Sequence, residues 1–203
     1  MIKNIIFDFG DIFINLDKKA TATGLQKLGL QVWDNELEQA NLQFEKGQIS
    51  PENFLQLFEK KLPNATQTEI LHAWNAVLLD FPNYRLAFLK ELSKNYSLFL
   101  LSNTDSIHIK TFENRDLLFT NEFYSCLKKV YYSFEMGQRK PDAEIFETVI
   151  QEQNLSVSET LFVDDRKDNC ETAKRLGMHI WHLQVGQEDV VDLLSKNLPC
   201  KNP

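Results

Sequence analysis

Short apolar runs separated by helical patterns are the feature that most constrains the fold of this chain. In the first run Ile5, Ile6 and Phe7 are consecutive, as expected of a strand that is covered on both faces of its sheet. Strands that alternate with helices form parallel sheets with helices packed on both faces. The sequence therefore predicts an α/β fold, a Rossmann-like doubly wound parallel sheet, with strands at residues 2–9, 97–101, 130–132, 160–163 and 179–183.

Three segments between the later strands have the apolar spacing of helices. Residues 84–94 form the first, and residues 168–176 form the last, which Gly177 ends as a left-handed terminator. The segment 141–153 has Pro141 at its start, and we expect this proline to occupy the first helical turn.

The stretch from residue 18 to residue 83 differs from the rest because it contains no convincing strand. Residues 35–44 and 50–62 have helical patterns, with Ser50 as a predicted N-cap, and Thr66 begins a capping-box sequence. The stretch is too long for a simple crossover between two strands, so we interpret it as an inserted all-helical cap. The predicted organisation is a catalytic core of residues 1–17 and 84–203, with a cap of residues 18–83.

Composition excludes several classes of protein. The chain has 203 residues and a formal net charge of −7, with 22 Lys and Arg against 29 Asp and Glu. Duplex nucleic acid is not expected as a partner, since it requires a dense cationic surface. No apolar segment approaches the roughly 20 residues of a membrane span, and Cys126, Cys170 and Cys200 lack metal-binding spacing. We expect a cytoplasmic protein with no membrane partner, and the sequence leaves its oligomeric state open.

Polar side chains follow four of the predicted strands. The carboxyl ends of parallel strands meet at one edge of a sheet, which is where ligands bind in doubly wound folds. The polar residues are Asp8 and Asp11 after the first strand, Ser102 and Asn103 after the second, Lys140 after the third, and Asp164 and Asp165 after the fourth. Gly10 lies between Asp8 and Asp11.

The residue types fit phosphoryl chemistry. Asp8, Asp164 and Asp165 would repel one another in one cleft unless a hard cation such as Mg²⁺ lay between them. Lys140 would add positive charge for a phosphoryl group, Ser102 would donate to its oxygens, and Asp8 could attack phosphorus. Each residue alone has a simpler structural explanation, such as capping a turn, and only their joint occurrence in order favours a catalytic site.

Four segments resemble the motifs of the haloacid dehalogenase-like (HAD) superfamily, whose members are mostly Mg²⁺-dependent phosphatases. These segments are IIFDFGDIF with Asp8, LFLLSNTD with Ser102, GQRKPD with Lys140, and LFVDDRKDN with Asp164, Asp165 and Asn169. The resemblance covers the whole chain, and the helical insertion takes the place of the C1-type cap of that superfamily. The motifs are most similar to the branch that contains glucose-1-phosphate phosphatase-like proteins.

The resemblance implies a role for each matching residue. The metal ligands would be Asp8, the Gly10 carbonyl and Asp165, and Asp164 and Asn169 would support them. Phosphate would contact Ser102, Asn103 and Lys140.

One position departs from the usual pattern of the superfamily. Most of its phosphatases have a second Asp, the general acid and base, where this chain has Gly10. Gly10 can supply a carbonyl ligand but cannot protonate a leaving group, although the glucose-1-phosphate phosphatase-like branch also has Gly there. Asp11 is a candidate substitute, but one step along an extended segment redirects the side chain, so we expect a turn residue.

These observations predict a Mg²⁺-dependent phosphatase that hydrolyses a small phosphate monoester, such as a sugar phosphate, through an aspartyl-phosphate on Asp8. Its partner would be a small phosphorylated metabolite. Two alternatives stay open, a metal-free 2-haloacid dehalogenase and a non-catalytic protein that binds a phosphorylated metabolite. In the cap, we expect Phe44, Trp33 and Trp74 to be core residues rather than substrate contacts.

Overall fold

The computed structural model of the protein describes residues 1–196 and residue 198, so Cys200 lies outside the described residues. Its centre is a five-stranded, wholly parallel sheet with the strand order β3-β2-β1-β4-β5. The predicted α/β fold is confirmed. The strands are β1 (Asn4–Phe7), β2 (Ser97–Ser102), β3 (Lys129–Tyr132), β4 (Thr160–Asp164) and β5 (His179–His182).

Helices cover both faces of the sheet. One apolar cluster packs Ile5 and Phe7 of β1 with helices on one face, and a second packs Ile6 with Phe146 and Phe162 on the other. The strands therefore need apolar side chains on both faces, which explains their unbroken apolar runs. The core helices are α5 (Asn83–Leu92), α6 (Ser106–Glu113), α7 (Leu117–Ser125), α8 (Ser133–Met136), α9 (Ala143–Glu152) and α10 (Lys167–Arg175), with 3₁₀ turns at Val157–Glu159 and Val190–Ser195.

The start of α9 corrects one sequence prediction. The helix begins at Ala143 with Asp142 as its N-cap, so Pro141 precedes the helix instead of occupying its first turn. The Asp142 N–H donates to the Arg139 carbonyl at 3.1 Å and closes a turn before the helix. Lys140 lies within this turn, and its side chain is buried.

Four helices between β1 and α5 form a separate layer, which we call the cap helices. Their Leu25, Phe44, Phe54 and Trp74 side chains belong to an apolar cluster distinct from the two that flank the sheet. Ser50 accepts from the Asn53 N–H at 3.2 Å as the predicted N-cap. The cap helices are α1 (Ala20–Lys27), α2 (Asn35–Glu45), α3 (Pro51–Lys61) and α4 (Gln67–Asn75), and α4 starts with the predicted capping box of Thr66 and Glu69.

The end of α2 rests directly on the core. Gly47 has a φ of +64°, and a Cβ atom added there would lie well inside 3.0 Å of the Phe134 carbonyl oxygen. Lys46 lies 3.7 Å from Asp142 beside this contact. Only glycine allows the backbone of this segment to come so close to the core.

Among residues 1–196 and 198, no helix is long and apolar enough to cross a membrane.

Candidate active site

Lys140 connects three neighbouring strands at the carboxyl edge of the sheet. Its Nζ donates to Asp8 Oδ1 at 2.7 Å, to the Leu101 carbonyl at 2.6 Å and to Asp164 Oδ2 at 2.8 Å. The side chain is only 1% exposed. The predicted Asp8 and Lys140 are thus in direct contact, although 132 positions separate them in the sequence.

The electrostatics of Asp8 reflect its largely buried position. Burial raises the pKa of this carboxyl to about 7, with the nearby Asp164 carboxylate adding to the effect, while the Lys140 ammonium opposes it. Burial alone would lower the pKa of Lys140, but the Asp164 and Asp8 carboxylates raise it overall, so Lys140 remains charged. An additional cation near Asp8 would favour the ionised carboxylate that nucleophilic attack requires.

Asp164 is fully buried and its carboxylate is saturated by protein donors. Besides Lys140, it accepts from the Arg166 N–H at 2.7 Å and from Asn169 Nδ2 at 2.9 and 3.1 Å. Its bonds therefore hold Lys140 and the start of α10 in place. The supporting role of Asp164 and Asn169 in metal binding stays a prediction.

Asp8, Asp164 and Asp165 form an acidic cluster. One carboxylate oxygen from each lies within 4.8 Å of the others, a grouping able to hold a metal ion. Lys18 Nζ lies 2.8 Å from Asp165 Oδ2 and 2.7 Å from Asp11 Oδ2 at the solvent side. The donor set is all oxygen, which suits a hard cation such as Mg²⁺.

A buried acceptor beside the cluster also fits a hydrated cation. In the part of the chain that the structure describes, Asn169 Oδ1 is buried without a hydrogen-bond partner. Buried polar atoms nearly always have partners, and Mg²⁺ usually keeps several of its waters. A water on the ion is the kind of donor that this oxygen requires.

Ser102 and Asn103 follow β2 at the same edge. Ser102 is buried and lines the cavity beside the acidic cluster. The Asn103 amide is used at both ends, since Nδ2 donates to the Lys140 carbonyl at 2.8 Å and Oδ1 accepts the Lys140 N–H at 2.9 Å. The Asn103 side chain thus fixes the backbone of Lys140, and Asn103 also lines the cavity, so its contact with phosphate stays a prediction.

Gly10 provides no general acid, because it has no side chain. A Cβ atom added there would lie 2.7 Å from Leu16 Cδ1, so a larger residue would require the end of the Leu16 side chain to move. Asp11 does not supply the missing acid, because its φ of +56° belongs to a turn and its Oδ1 accepts the Leu16 N–H at 3.1 Å. Its other oxygen pairs with Lys18.

A cavity of about 480 Å³ extends from these strand ends to the cap helices. Trp33 and Trp74 both line it, contrary to the expectation that they are core residues only, whereas Phe44 is buried in the cap cluster as expected. Trp74 packs in the apolar cluster of the cap helices and also lines the cavity.

Sequence reasoning missed three charged side chains at this cavity, namely Lys18, Glu45 and His108. His108 Nδ1 lies 2.9 Å from Asp105 Oδ2, Nε2 lies 3.2 Å from the Trp74 carbonyl, and the ring stacks on the Trp74 indole at 5.2 Å. Burial lowers the pKa of His108, but the Asp105 carboxylate outweighs it and raises the pKa overall. His108 follows the SNTD motif in the sequence, but its contact with Trp74 of the cap helices could not be predicted from that motif.

The sheet and this edge define an α/β protein with a buried carboxylate–lysine pair and an acidic cluster at the carboxyl ends of its strands. The family model of haloacid dehalogenase-like hydrolases matches residues 5–182. The chain belongs to that family.

Individual relatives agree with this assignment. The chain is 30% identical to a D-ribitol-5-phosphate phosphatase of Bacteroides thetaiotaomicron, over 93% of this chain and 95% of that protein. The crystal structure of a HAD family enzyme from the same organism, in complex with magnesium and inorganic phosphate, is 33% identical. It superposes with a TM-score of 0.83 and covers 93% of this chain and 97% of that one. A sesquiterpene phosphatase of Aspergillus oryzae is 28% identical over 89% of each chain.

Proposed function

We propose that the protein is a Mg²⁺-dependent phosphatase that hydrolyses a small phosphate monoester with a hydroxylated organic part, such as a sugar phosphate. The observation that carries the proposal is the Asp8–Lys140 contact of 2.7 Å within the acidic cluster, at strand ends whose Gly10 and Ser102 also line a cavity. The similarity to a D-ribitol-5-phosphate phosphatase supports the substrate class.

The metal ligands in this proposal are Asp8, the carbonyl of Gly10 and Asp165, while Asp164 and Asn169 orient the site. When bound, Mg²⁺ supplies positive charge that offsets the clustered carboxylates and the phosphate. Lys18 pairs with Asp165 from the exposed side, so its ammonium is expected to shift when the ion binds.

The chain's own residues carry two chemical steps. Asp8 attacks phosphorus in line, the P–O bond to the organic group breaks, and an aspartyl-phosphate forms. Lys140 and the Ser102 hydroxyl stabilise charge on the phosphoryl oxygens. Water then attacks the phosphoryl group, which releases inorganic phosphate and regenerates Asp8.

The leaving oxygen takes its proton from solvent in this mechanism, because Gly10 has no side chain and Asp11 is held in a turn by Leu16 and Lys18. Esters with acidic leaving hydroxyls, such as anomeric phosphates, depend least on a general acid. Residues 18–83 act as a cap that closes over the site and excludes water.

The test is phosphate release from a panel of sugar, polyol and simple alkyl phosphates, with and without Mg²⁺. We expect turnover that requires the ion and is lost in Asp8→Asn. Turnover that is independent of both would refute the mechanism. Halide release from 2-haloacids would support the dehalogenase alternative, and tight phosphate-ester binding without turnover would support the binding protein.

A further inference from the structure

The cap side of the cavity presents polar groups within aromatic walls. Trp33 and Trp74 form part of the wall. The charged side chains that line the cavity are Lys18, which pairs with Asp11 and Asp165, together with Glu45, Asp105 and His108. A substrate whose phosphate sits at the strand ends must place its organic part among these groups. Which of them can still bind a substrate depends on the hydrogen bonds they already make.

Asp105 and His108 are committed to other protein groups. Asp105 Oδ1 accepts the N–H groups of Ile107 and His108 at 2.8 and 2.9 Å. Its Oδ2 accepts from Trp74 Nε1 at 3.2 Å and from His108 Nδ1 at 2.9 Å. His108 Nε2 is hydrogen-bonded to the Trp74 carbonyl. Neither Asp105 nor His108 therefore has a free group with which to bind a substrate.

Glu45, unlike Asp105 and His108, can still accept a hydrogen bond from a ligand. Arg139 directs both of its bonds to one oxygen, with Nε 3.1 Å and Nη2 2.9 Å from Oε2. The Asn41 side chain also hydrogen-bonds to the carboxylate. A carboxylate has about four acceptor positions, so these bonds leave room for a donor from a ligand.

The surroundings of Glu45 favour a substrate hydroxyl over an apolar organic group. The side chain is 22% exposed, and burial raises its pKa despite the opposing charge of Arg139. An apolar organic group in the cavity would remove the remaining water from this carboxylate without offering a donor. A substrate hydroxyl would replace the lost water with a charge-assisted hydrogen bond.

We propose that Glu45 is a specificity-determining residue that accepts a hydrogen bond from a hydroxyl on the organic part of the substrate. Glu45 thereby selects polyol and sugar phosphates over phosphate esters of apolar alcohols. This proposal rests on the proposed phosphatase function. One charge-assisted bond corresponds to roughly a 10- to 100-fold preference.

The kinetic test compares two esters, a pentitol phosphate and p-nitrophenyl phosphate, which has no hydroxyl on its organic part. Glu45→Gln also breaks the ion pair with Arg139, so some loss is expected for both esters. We expect kcat/KM to fall roughly 10- to 100-fold further for the pentitol phosphate than for p-nitrophenyl phosphate. Glu36→Gln is the matched control, because Glu36 is on the same helix, is exposed and does not line the cavity.

Arg139→Gln separates specificity from cap attachment. This variant breaks the same ion pair from the core side, so it should lower kcat/KM for both esters to a similar extent. Equal losses for both esters in Glu45→Gln would mean that Glu45 only anchors the cap, and the proposal would be wrong.

A binding measurement distinguishes this proposal from the phosphatase function itself. In the Asp8→Asn protein, calorimetry should show tighter binding of the pentitol phosphate than of inorganic phosphate, and adding Glu45→Gln should remove the difference. If the wild-type protein hydrolysed no ester while this difference was present, the phosphatase proposal would fail and the role of Glu45 would stand. If the second substitution left the difference intact, the role of Glu45 would be refuted.

Discussion

Replacing Gly47 with alanine is expected to separate the cap from the core without altering any group at the strand ends. Gly47 has a φ of +64°, and its missing Cβ would overlap the carbonyl oxygen of Phe134. The backbone fixes the position of Cβ, and the Phe134 oxygen is a main-chain atom, so no side-chain rotation can relieve the overlap. The end of α2, with Glu45 and Lys46, must therefore move away from the core.

The expected loss in the free energy of unfolding is the sum of two contributions. Alanine in the left-handed region costs about 1–2 kcal/mol, and forcing an atom into an occupied space costs about 1–3 kcal/mol more. The sum of about 2–5 kcal/mol corresponds to a fall in Tm of roughly 4–20 °C for a chain of this length. A shift of about 1 Å at the cap should lower kcat/KM by roughly 10- to 100-fold.

Gly186→Ala is the matched control. Gly186 also has a positive φ, +80°, but nothing lies within 4 Å of its added Cβ. This variant carries the backbone strain without the overlap, so we expect a loss of about 1–2 kcal/mol and wild-type kinetics. The assays are thermal melting and steady-state phosphate release for both variants.

Equal stability and equal kinetics in the two alanine variants would refute the reasoning. That result would show that the contact between Gly47 and Phe134 does not hold the cap against the core.

Three further predictions concern the site and its supports. His108→Gln should destabilise the protein by about 1–3 kcal/mol at acidic pH, measured by urea unfolding. Because the folded-state pKa of His108 is raised, this difference should be fully present below about pH 6.5 and shrink as the pH rises through the folded-state value. Asp164→Asn should cost about 3–5 kcal/mol in the same assay, since it leaves the buried Lys140 with one carboxylate fewer, and a loss below 1 kcal/mol would contradict the ion-pair argument. Mg²⁺ at about 100 times its Kd should add about 2.7 kcal/mol to wild-type stability, and Asp165→Asn should abolish this gain in calorimetric melts; an unchanged gain would remove Asp165 from the ligand set.

The sequence contained enough information to predict the carboxyl edge of the sheet. Asp8 and Asp164 lie directly beyond or at the ends of unbroken apolar strands, so predicting the strands also placed these carboxylates. The same topology placed Lys140 at this edge, but as a charge for a phosphoryl group, and its contacts with both carboxylates were not predicted. The prediction of a helix start at Pro141 was wrong because proline also suits a turn before a helix, and here Lys140 lies within that turn.

The cap side of the site was not predictable by the same reasoning. Glu45 is the last residue of α2 and Trp33 lies just before that helix, and the apolar pattern of α2 indicates a helix but not the surface that it faces. Their positions at the cavity depend on how the cap helices dock, through the Gly47 contact and the Glu45–Arg139 ion pair. A single sequence carries no local signal for such an arrangement, so the domain boundaries at residues 18 and 83 also stay predictions.

The burial of Lys140 has a consequence for chemical labelling of this protein. Amine-directed reagents require an accessible, neutral nitrogen, whereas Lys140 is 1% exposed, positively charged and bonded to residues at the ends of β1, β2 and β4. A reagent can reach this nitrogen only after its three hydrogen bonds at the carboxyl edge of the sheet break. Modification of Lys140, read by mass spectrometry, would therefore report the molecules in which this edge has opened, while the exposed Lys18 would report labelling of the intact protein.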